Sequence, residues 1–206
     1  MSIIKLNNNG VKNATAFGSI TGLGSMVFIK KLTASSSATL SFVDGASGVV
    51  LDNTYKEYLF TFKDIHPETN FRHLGFQANA VGGSGYNETI TSTMFVANHK
   101  EDDSSSTLAY EADGDQAQGT GFQSVIHAMG NGNDESGSGT LHLFNPSSTT
   151  FVKHFIATTN TYTDDDRSQN NFAAGYINTT SAIDEIQFKM SSGNIDSGDI
   201  CLYGIA

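Results

Sequence analysis

The chain of 206 residues has one cysteine, no tryptophan, two prolines and only 16% charged residues. A single thiol, Cys201, excludes an intramolecular disulfide, so packing alone must hold any pair of sheets together. Because Cys201 lies in the apolar run 200–203, we expect a buried thiol that serves as a small apolar side chain. No segment approaches the ~18 consecutive apolar residues of a membrane-spanning helix. The sequence therefore predicts no membrane insertion.

Basic residues are also scarce. The net charge is −10 and the isoelectric point about 4.8, so the chain repels nucleic acid and anionic membranes. The first residues lack the basic start and apolar run of a signal peptide, and we expect folding in a reducing cytoplasm. Nucleic acid is thereby excluded as a partner.

Catalytic and cofactor motifs are missing as well. No serine has the frame of a nucleophile elbow, and no glycine run precedes a phosphate-binding helix. The histidines lack the spacing of metal ligands on one strand or helix, although separate strands could bring His127, His142 and His154 together. The acidic loops 113–115, 131–135 and 164–166 offer oxygen ligands for calcium, but none has EF-hand spacing. The sequence predicts no enzyme, no metal and no cofactor.

What the chain has in abundance is alternation. Tyr58, Phe60 and Phe62 alternate with polar or smaller side chains up to Pro67, as a strand with one buried face requires. Similar runs separated by turn residues follow to the end of the chain. The predicted strands are 26–32, 39–43, 58–65, 71–80, 89–98, 122–129, 140–144, 151–158, 172–178, 186–190 and 200–205. This pattern predicts an all-β, single-domain antiparallel β-sandwich of the jelly-roll type.

Three segments depart from this pattern. Residues 1–24 are rich in Asn and Gly with sparse apolar residues, and we interpret them as an N-terminal arm that anchors the sandwich domain of residues 25–206. Residues 100–121 and 163–171 are long polar stretches and are predicted loops, with a short helix near 105–110 in the first.

Exposed surfaces can also be anticipated. Strands 122–129 and 151–158 are apolar on nearly both faces, whereas a sandwich interior covers only one, which leaves an apolar face for a contact outside the sandwich. Tyr86, Tyr110 and Tyr162 lie in loop-like surroundings, where a tyrosine can stack on a sugar or simply cover the core. These three are the candidate glycan contacts.

Several motifs together give the chain a resemblance. They are Asp52-x-x-Tyr55-x-x-Tyr58 leading to Ile65-His66-Pro67, then Tyr86-Asn87-Glu88-Thr89, Gln116-Ala117-Gln118-Gly119, and Leu202-Tyr203-Gly204-Ile205. From about residue 26 to the end, the chain resembles virion structural proteins of marine tailed phages, especially cyanophages. The resemblance implies a β-sandwich module, commonly trimeric, that decorates a capsid or forms part of a tail fibre. It transfers no catalytic residue.

Three functions remain open from the sequence. The first is a non-enzymatic structural protein on the virion surface, made in the cytoplasm of an infected bacterium, whose partners are its own copies and other capsid or tail proteins. The second is a lectin-like tail-fibre module that contacts a host surface glycan through loops with Tyr110 or Tyr162. The third is a polysaccharide-degrading enzyme, which needs two carboxylates across a cleft. No such pair can be named from the sequence.

Overall fold

The computed structural model describes residues 26–206, and the arm predicted for residues 1–24 lies outside them. All regular structure in this range is β-strand, as the alternation predicted. No helix in the described range is long and apolar enough to cross a membrane. The strands are β1 (Met26–Ser37), β2 (Leu40–Val43), β3 (Glu57–Pro67), β4 (Arg72–Ala80), β5 (Ile90–Lys100), β6 (Ser106–Tyr110), β7 (Ala117–Gly119), β8 (Gln123–Met129), β9 (Gly137–Phe144), β10 (Lys153–Tyr162), β11 (Arg167–Ile177), β12 (Ile183–Met190) and β13 (Ile195–Ile205).

Eight of these strands form a jelly roll. Strands β1-β13-β3-β9 are neighbours in the large sheet, and β2-β12-β4-β8 form the small sheet, with every pairing antiparallel. Along these eight strands the chain crosses between the sheets at every step except from β4 to β8. Two four-stranded sheets connected in this way are the jelly-roll arrangement, and the predicted fold is confirmed.

The remaining strands extend the large sheet beyond the jelly roll. Strands β10, β11, β5 and β6 follow β9 in that order, and β7 also pairs with β5. They come from two insertions, because β5 to β7 lie between β4 and β8, and β10 and β11 lie between β9 and β12. We call these five strands the extension.

Aromatic rings fill the centre of the jelly roll. The ring of Phe188 on β12 lies edge-on to Phe42, Phe60 and Phe62, with centroids 5.3 to 6.2 Å apart. Tyr58 is also fully buried, and its hydroxyl donates to the carbonyl of Asp52 at 2.9 Å. Edge-to-face pairs of this kind add to the free energy of area burial, so the alternation of β3 directly fixes the core.

Between the sheets the extension also buries a layer of polar side chains. Asn171 donates to Thr159 and Thr161 at 3.2 Å each, and Gln169 donates to Asn171 at 2.8 Å. Because these groups bond to one another, their burial is not penalised by unpaired donors or acceptors. Residues 163–171, predicted as a loop, are therefore mostly strand: β11 begins at Arg167 after a short turn.

Two further expectations are corrected by the fold. The helix predicted near 105–110 is wrong, since this segment is the exposed edge strand β6, which pairs with β5. The thiol of Cys201 is only half-buried, because Ile200 and Leu202 take the inward positions of β13. Both prolines lie at or just beyond strand ends, as predicted.

Candidate functional site

The outward side of the extension carries a row of aromatic rings. Tyr110 on β6 lies opposite Phe95 on β5, and Phe95 lies opposite Phe172 on β11. The rings of Phe95 and Phe172 stack with centroids 4.7 Å apart. Tyr110 is 60% exposed and Phe95 41% exposed. Large rings so open to solvent are uncommon on a surface that contacts water alone.

Apolar side chains continue from this row towards the middle of the sheet. Ile156 on β10 is 50% exposed and lies opposite Ala174 on β11. It borders two shallow depressions, one of about 440 Å³ that includes His154 and Tyr176, and one of about 180 Å³ that includes Phe95 and Phe172. We call the continuous surface formed by Tyr110, Phe95, Phe172, Ile156, Ala174, Tyr176 and His154 the aromatic face.

No charged side chain interrupts the outward positions of β5, β10 and β11. On β5 these are Thr91, Thr93, Phe95, Ala97 and His99; on β11 Ser168, Asn170, Phe172, Ala174 and Tyr176; on β10 His154, Ile156, Thr158, Asn160 and Tyr162. In a chain of net charge −10 this depletion is pronounced. The centres of protein interfaces are likewise enriched in aromatic residues and depleted of charge.

The strand pattern contained a signal for this face. Residues 151–158, predicted to be apolar on both sides, contain the first half of β10, in which Phe155 is buried and Ile156 is exposed. The other segment with that pattern, 122–129, gives no exposed surface, because all seven residues of β8 are buried within the chain. Of the two segments, only 151–158 therefore supports an interface.

A second candidate site is a polar depression of about 290 Å³ at one end of the sandwich. Its lining includes Phe71, Glu111, His127, Asp164, Asp165, Arg167, Asn98 and Gln169. Three strands contribute to this lining, namely β5, β8 and β11. The other residues come from the β3–β4 loop, the β10–β11 turn and the segment that follows β6. We call it the polar cleft. No local motif indicates this cleft in advance, since its residues lie far apart along the chain.

Two histidines stack on each other beside the polar cleft, and of the two His127 lines it. The rings of His73 and His127 are nearly parallel, with centroids 3.9 Å apart. The Nδ1 atom of His73 accepts a hydrogen bond from the Ala128 amide at 2.8 Å. Burial, with the neighbouring His127 and Arg72 charges, lowers the pKa of His73 to about 4, and burial also lowers the pKa of His127. Both rings are therefore neutral at pH 7.

The three candidate glycan tyrosines do not meet. The hydroxyl of Tyr86 donates to Glu185 of the small sheet at 2.7 Å. Tyr110 belongs to the aromatic face, and its hydroxyl bonds to Asp115. Tyr162 ends β10, where burial and the carboxylates of Glu101 and Asp166 raise its pKa to about 12. Of the three, only Tyr110 lies beside other exposed rings.

The three histidines that separate strands could have joined are not brought together either. His127 stacks on His73, His142 bonds to Glu57 at 2.5 Å, and His154 lies against Tyr176. An acidic depression of about 400 Å³ does collect Asp64, His66, Asp134, Glu135 and Asp196. Within residues 26–206, however, no group of three or more His, Cys, Asp or Glu side chains has an arrangement that could hold a metal ion.

No family model matches the sequence, and no curated protein matches it significantly.

Proposed function

We propose that the chain is a non-enzymatic structural protein of a phage virion surface, which assembles with its own copies and with other capsid or tail proteins. The observation that supports this most is the aromatic face. It is open to solvent and free of charge, and it lies on strands added to a jelly roll that is complete without them.

The composition of the aromatic face favours protein over water as its contact. Its central positions carry two aromatic rings and a branched side chain, those of Phe95, Phe172 and Ile156. No Lys or Glu lies among them that would lose its hydration when another protein surface covers the face. Burial of such a surface contributes roughly 25 cal/mol per Å² of apolar area. Three copies packed through this face would form the homotrimer that the phage resemblance implies.

The proposed location of the protein on the virion surface follows from the same resemblance. A protein of this type is made in the cytoplasm of the infected bacterium and is displayed on the particle. Mass spectrometry of gradient-purified particles of the phage that encodes this sequence tests the proposal. We expect peptides of this chain at hundreds of copies for capsid decoration, or at a few dozen or fewer for a tail component. Complete absence from the particles would contradict it.

A second function, glycan binding by a tail-fibre module, is favoured by one observation. The exposed row Tyr110, Phe95 and Phe172 resembles the aromatic platforms on which sugar rings stack. If this row binds glycan, Tyr110→Ala weakens retention of the protein on host cells, while Tyr86→Ala and Tyr162→Ala do not. Equal retention of all three variants would exclude Tyr110 from the contact.

A further inference from the structure

The large sheet has two edges whose backbone groups are open to solvent. Along its strand order β1 is the first strand and β6 the last, and within residues 26–206 no strand pairs with the outer side of either. All five residues of β6 are exposed, with Leu108 73% and Tyr110 60% exposed. The exposed apolar residues of β1 are Met26, Val27 and Phe28. Unpaired edges with apolar side chains are places where another strand can be added.

The two edge strands run in opposite directions. Eight strands lie along the path from β1 to β6, and each of the seven pairings between them is antiparallel. Because the direction reverses at each of the seven pairings, β6 is antiparallel to β1. A second copy placed beside the first in the same orientation therefore continues the sheet, with its β1 antiparallel to β6 of the first copy.

The hydrogen bonds to β5 identify the free backbone groups of β6. Just after β6, the amide of Glu111 donates to the carbonyl of Met94 at 2.9 Å. Successive residues of an antiparallel strand bond alternately to one side and to the other, so the odd-numbered residues of β6 bond to β5. The residues that direct their amide and carbonyl groups to the free edge are Ser106, Leu108 and Tyr110.

The same alternation identifies the free backbone groups of β1. Next to β3, the amide of Asn145 donates to the carbonyl of Lys56 at 2.6 Å. The even-numbered residues of β3 therefore bond to β9 and the odd-numbered ones to β13. Carried through the registers of β13 with β3 and with β1, this pattern leaves three residues of β1 facing the free edge, namely Lys31, Thr33 and Ser35.

The free residues of the two edges also lie at the same level along the strands. Tyr110 and Lys31 belong to one row across the sheet, whose other members are Phe95, Phe172, Thr158, Thr140, Thr61 and Cys201. In a second copy placed at this level, Tyr110 is opposite Lys31 and Leu108 is opposite Thr33. Both pairs can exchange the two hydrogen bonds of an antiparallel ladder without a shift in register.

The charges at the two edges are opposite in sign. Between residues 101 and 116, β6 is flanked only by acidic charges, those of Glu101, Asp102, Asp103, Glu111, Asp113 and Asp115. β1 carries Lys30 and Lys31, and no acidic residue occurs in 26–43. Lys31 bonds to Asp199 at 3.1 Å, but its side chain remains 49% exposed. Like charges thus oppose pairing of either edge with itself, whereas opposite charges favour pairing of β6 with β1.

We propose that β6 of one copy pairs with β1 of the next, in an antiparallel ladder with Leu108 opposite Thr33 and Tyr110 opposite Lys31. The inference rests on the proposed assembly of the chain with its own copies and names the contact that joins them. A trimer with threefold symmetry joins two different patches of the chain at every interface, and the two edges of the sheet are such a pair. Closed around the axis with their outward sides inside, the three sheets bring their aromatic faces together.

Cysteine cross-linking of the full chain tests the proposed pairing. Two proteins, both with Cys201→Ser, carry Leu108→Cys and Thr33→Cys respectively. Opposite residues that share hydrogen bonds have Cα atoms ~5.5 Å apart, within the range that a disulfide spans. After oxidation we expect a disulfide-linked dimer of twice the 21.9 kDa chain mass in the mixture, and at least tenfold less of it in either protein alone.

Thr107→Cys is the matched control for Leu108→Cys. Thr107 is exposed on the same strand, but its side chain points to the opposite side of the sheet. Mixed with Thr33→Cys, it should give at least tenfold less dimer. Absence of dimer from the Leu108→Cys and Thr33→Cys mixture, or an equal yield from the control, would overturn the pairing. An equal yield from Leu108→Cys alone would also overturn it, since β6 would then pair with itself.

The outcomes separate this pairing from the proposed function. A wild type that sediments as a trimer or is present in phage particles, while the mixture gives no cross-link, contradicts only the edge pairing. A specific cross-link in a protein that is absent from the particles contradicts only the virion function.

Discussion

The two halves of the large sheet differ in what they present to solvent. On the jelly-roll half, Lys31 of β1 pairs with Asp199 of β13 at 3.1 Å, and Glu57 of β3 bonds to His142 of β9. The extension has no charged side chain at the outward positions of β10, β11 and β5 and carries the aromatic face instead. The jelly-roll half has the surface expected of a sheet in contact with water, whereas the extension has that of an interface.

The largest difference between the halves should appear when one phenylalanine is truncated in each. Phe188→Ala removes the ring at the centre of the jelly-roll core and is expected to lower the free energy of unfolding by about 3–5 kcal/mol. Phe172→Ala, on the outward side of the extension, should lower it by about 1 kcal/mol or less. Urea unfolding at low protein concentration, followed by circular dichroism, measures both. Equal losses would mean that the aromatic face stabilises the single chain.

A smaller loss of stability is expected from a substitution on the inward side of the extension. The ammonium of Lys153, a fully buried residue on β10, donates to the carbonyls of Ser148, Phe151 and Thr179 at 2.6 to 3.1 Å. Lys153→Met leaves these carbonyls without that donor and should cost about 1–3 kcal/mol. Lys63→Met, at an exposed lysine of the jelly-roll half, should change stability by less than about 0.5 kcal/mol. Thermal unfolding of both variants gives the comparison.

The stacked histidines, which lie on β4 and β8 of the small sheet, predict a dependence of stability on pH. Because the pKa of His73 is about 4 in the folded chain and ~6.5 when unfolded, the unfolded state binds more protons between these values. Stability is therefore complete above about pH 6.5 and falls as the pH decreases, by at most about 1.4 kcal/mol per pH unit for one histidine.

The variant His73→Asn isolates this contribution. Its side-chain oxygen can replace Nδ1 as the acceptor for the Ala128 amide, but it does not titrate. Its melting temperature should fall less steeply than that of the wild type between pH 6.5 and 5. His99→Asn, at an exposed histidine, should retain the wild-type slope. Parallel slopes for all three proteins would contradict the assignment to His73.

The smallest effect on folding is expected from single charges added to the outward side of the sheet. Thr93→Lys places a charge beside both apolar depressions, and Thr61→Lys places one on β3 in the jelly-roll half. Each should change the free energy of unfolding by within about 0.5 kcal/mol. Only Thr93→Lys should weaken self-association, by at least tenfold, as measured by dilution in mass photometry. Equal weakening by both would remove the distinction between the halves.

The sequence was sufficient for the fold class, though not for the strand order, because the alternation of apolar side chains is local information. Tyr58, Phe60 and Phe62 predict both the strand β3 and the core it forms. The helix expected near 105–110 is a strand because Ser106–Tyr110 has no pattern of its own and is extended through pairing with β5. Gln169 and Asn171 are predicted to be loop residues from the sequence. Nothing local indicates that Gln169 bonds to Asn171, or that Asn171 bonds to Thr159 and Thr161, in a buried layer.

Of the two candidate sites, one is indicated by local sequence and the other is formed only by the fold. The exposed side of β10 was visible in advance as a second apolar face, and Tyr110 was named from its surroundings. The polar cleft was not visible, because Phe71, Glu111 and His127 come from three separate segments that only the fold brings together. The unpaired His127 nitrogen and the positive φ of Phe71 are likewise properties of the folded chain.

The most direct test of the aromatic face as an interface is sedimentation velocity of the full chain over a range of concentrations, beside Ile156→Asp. For the wild type we predict a species of three times the 21.9 kDa chain mass. Ile156→Asp, which places a carboxylate at the centre of the face, should sediment as a folded monomer. A wild type that stays monomeric at high concentration, or an Ile156→Asp variant that associates equally well, would contradict the account.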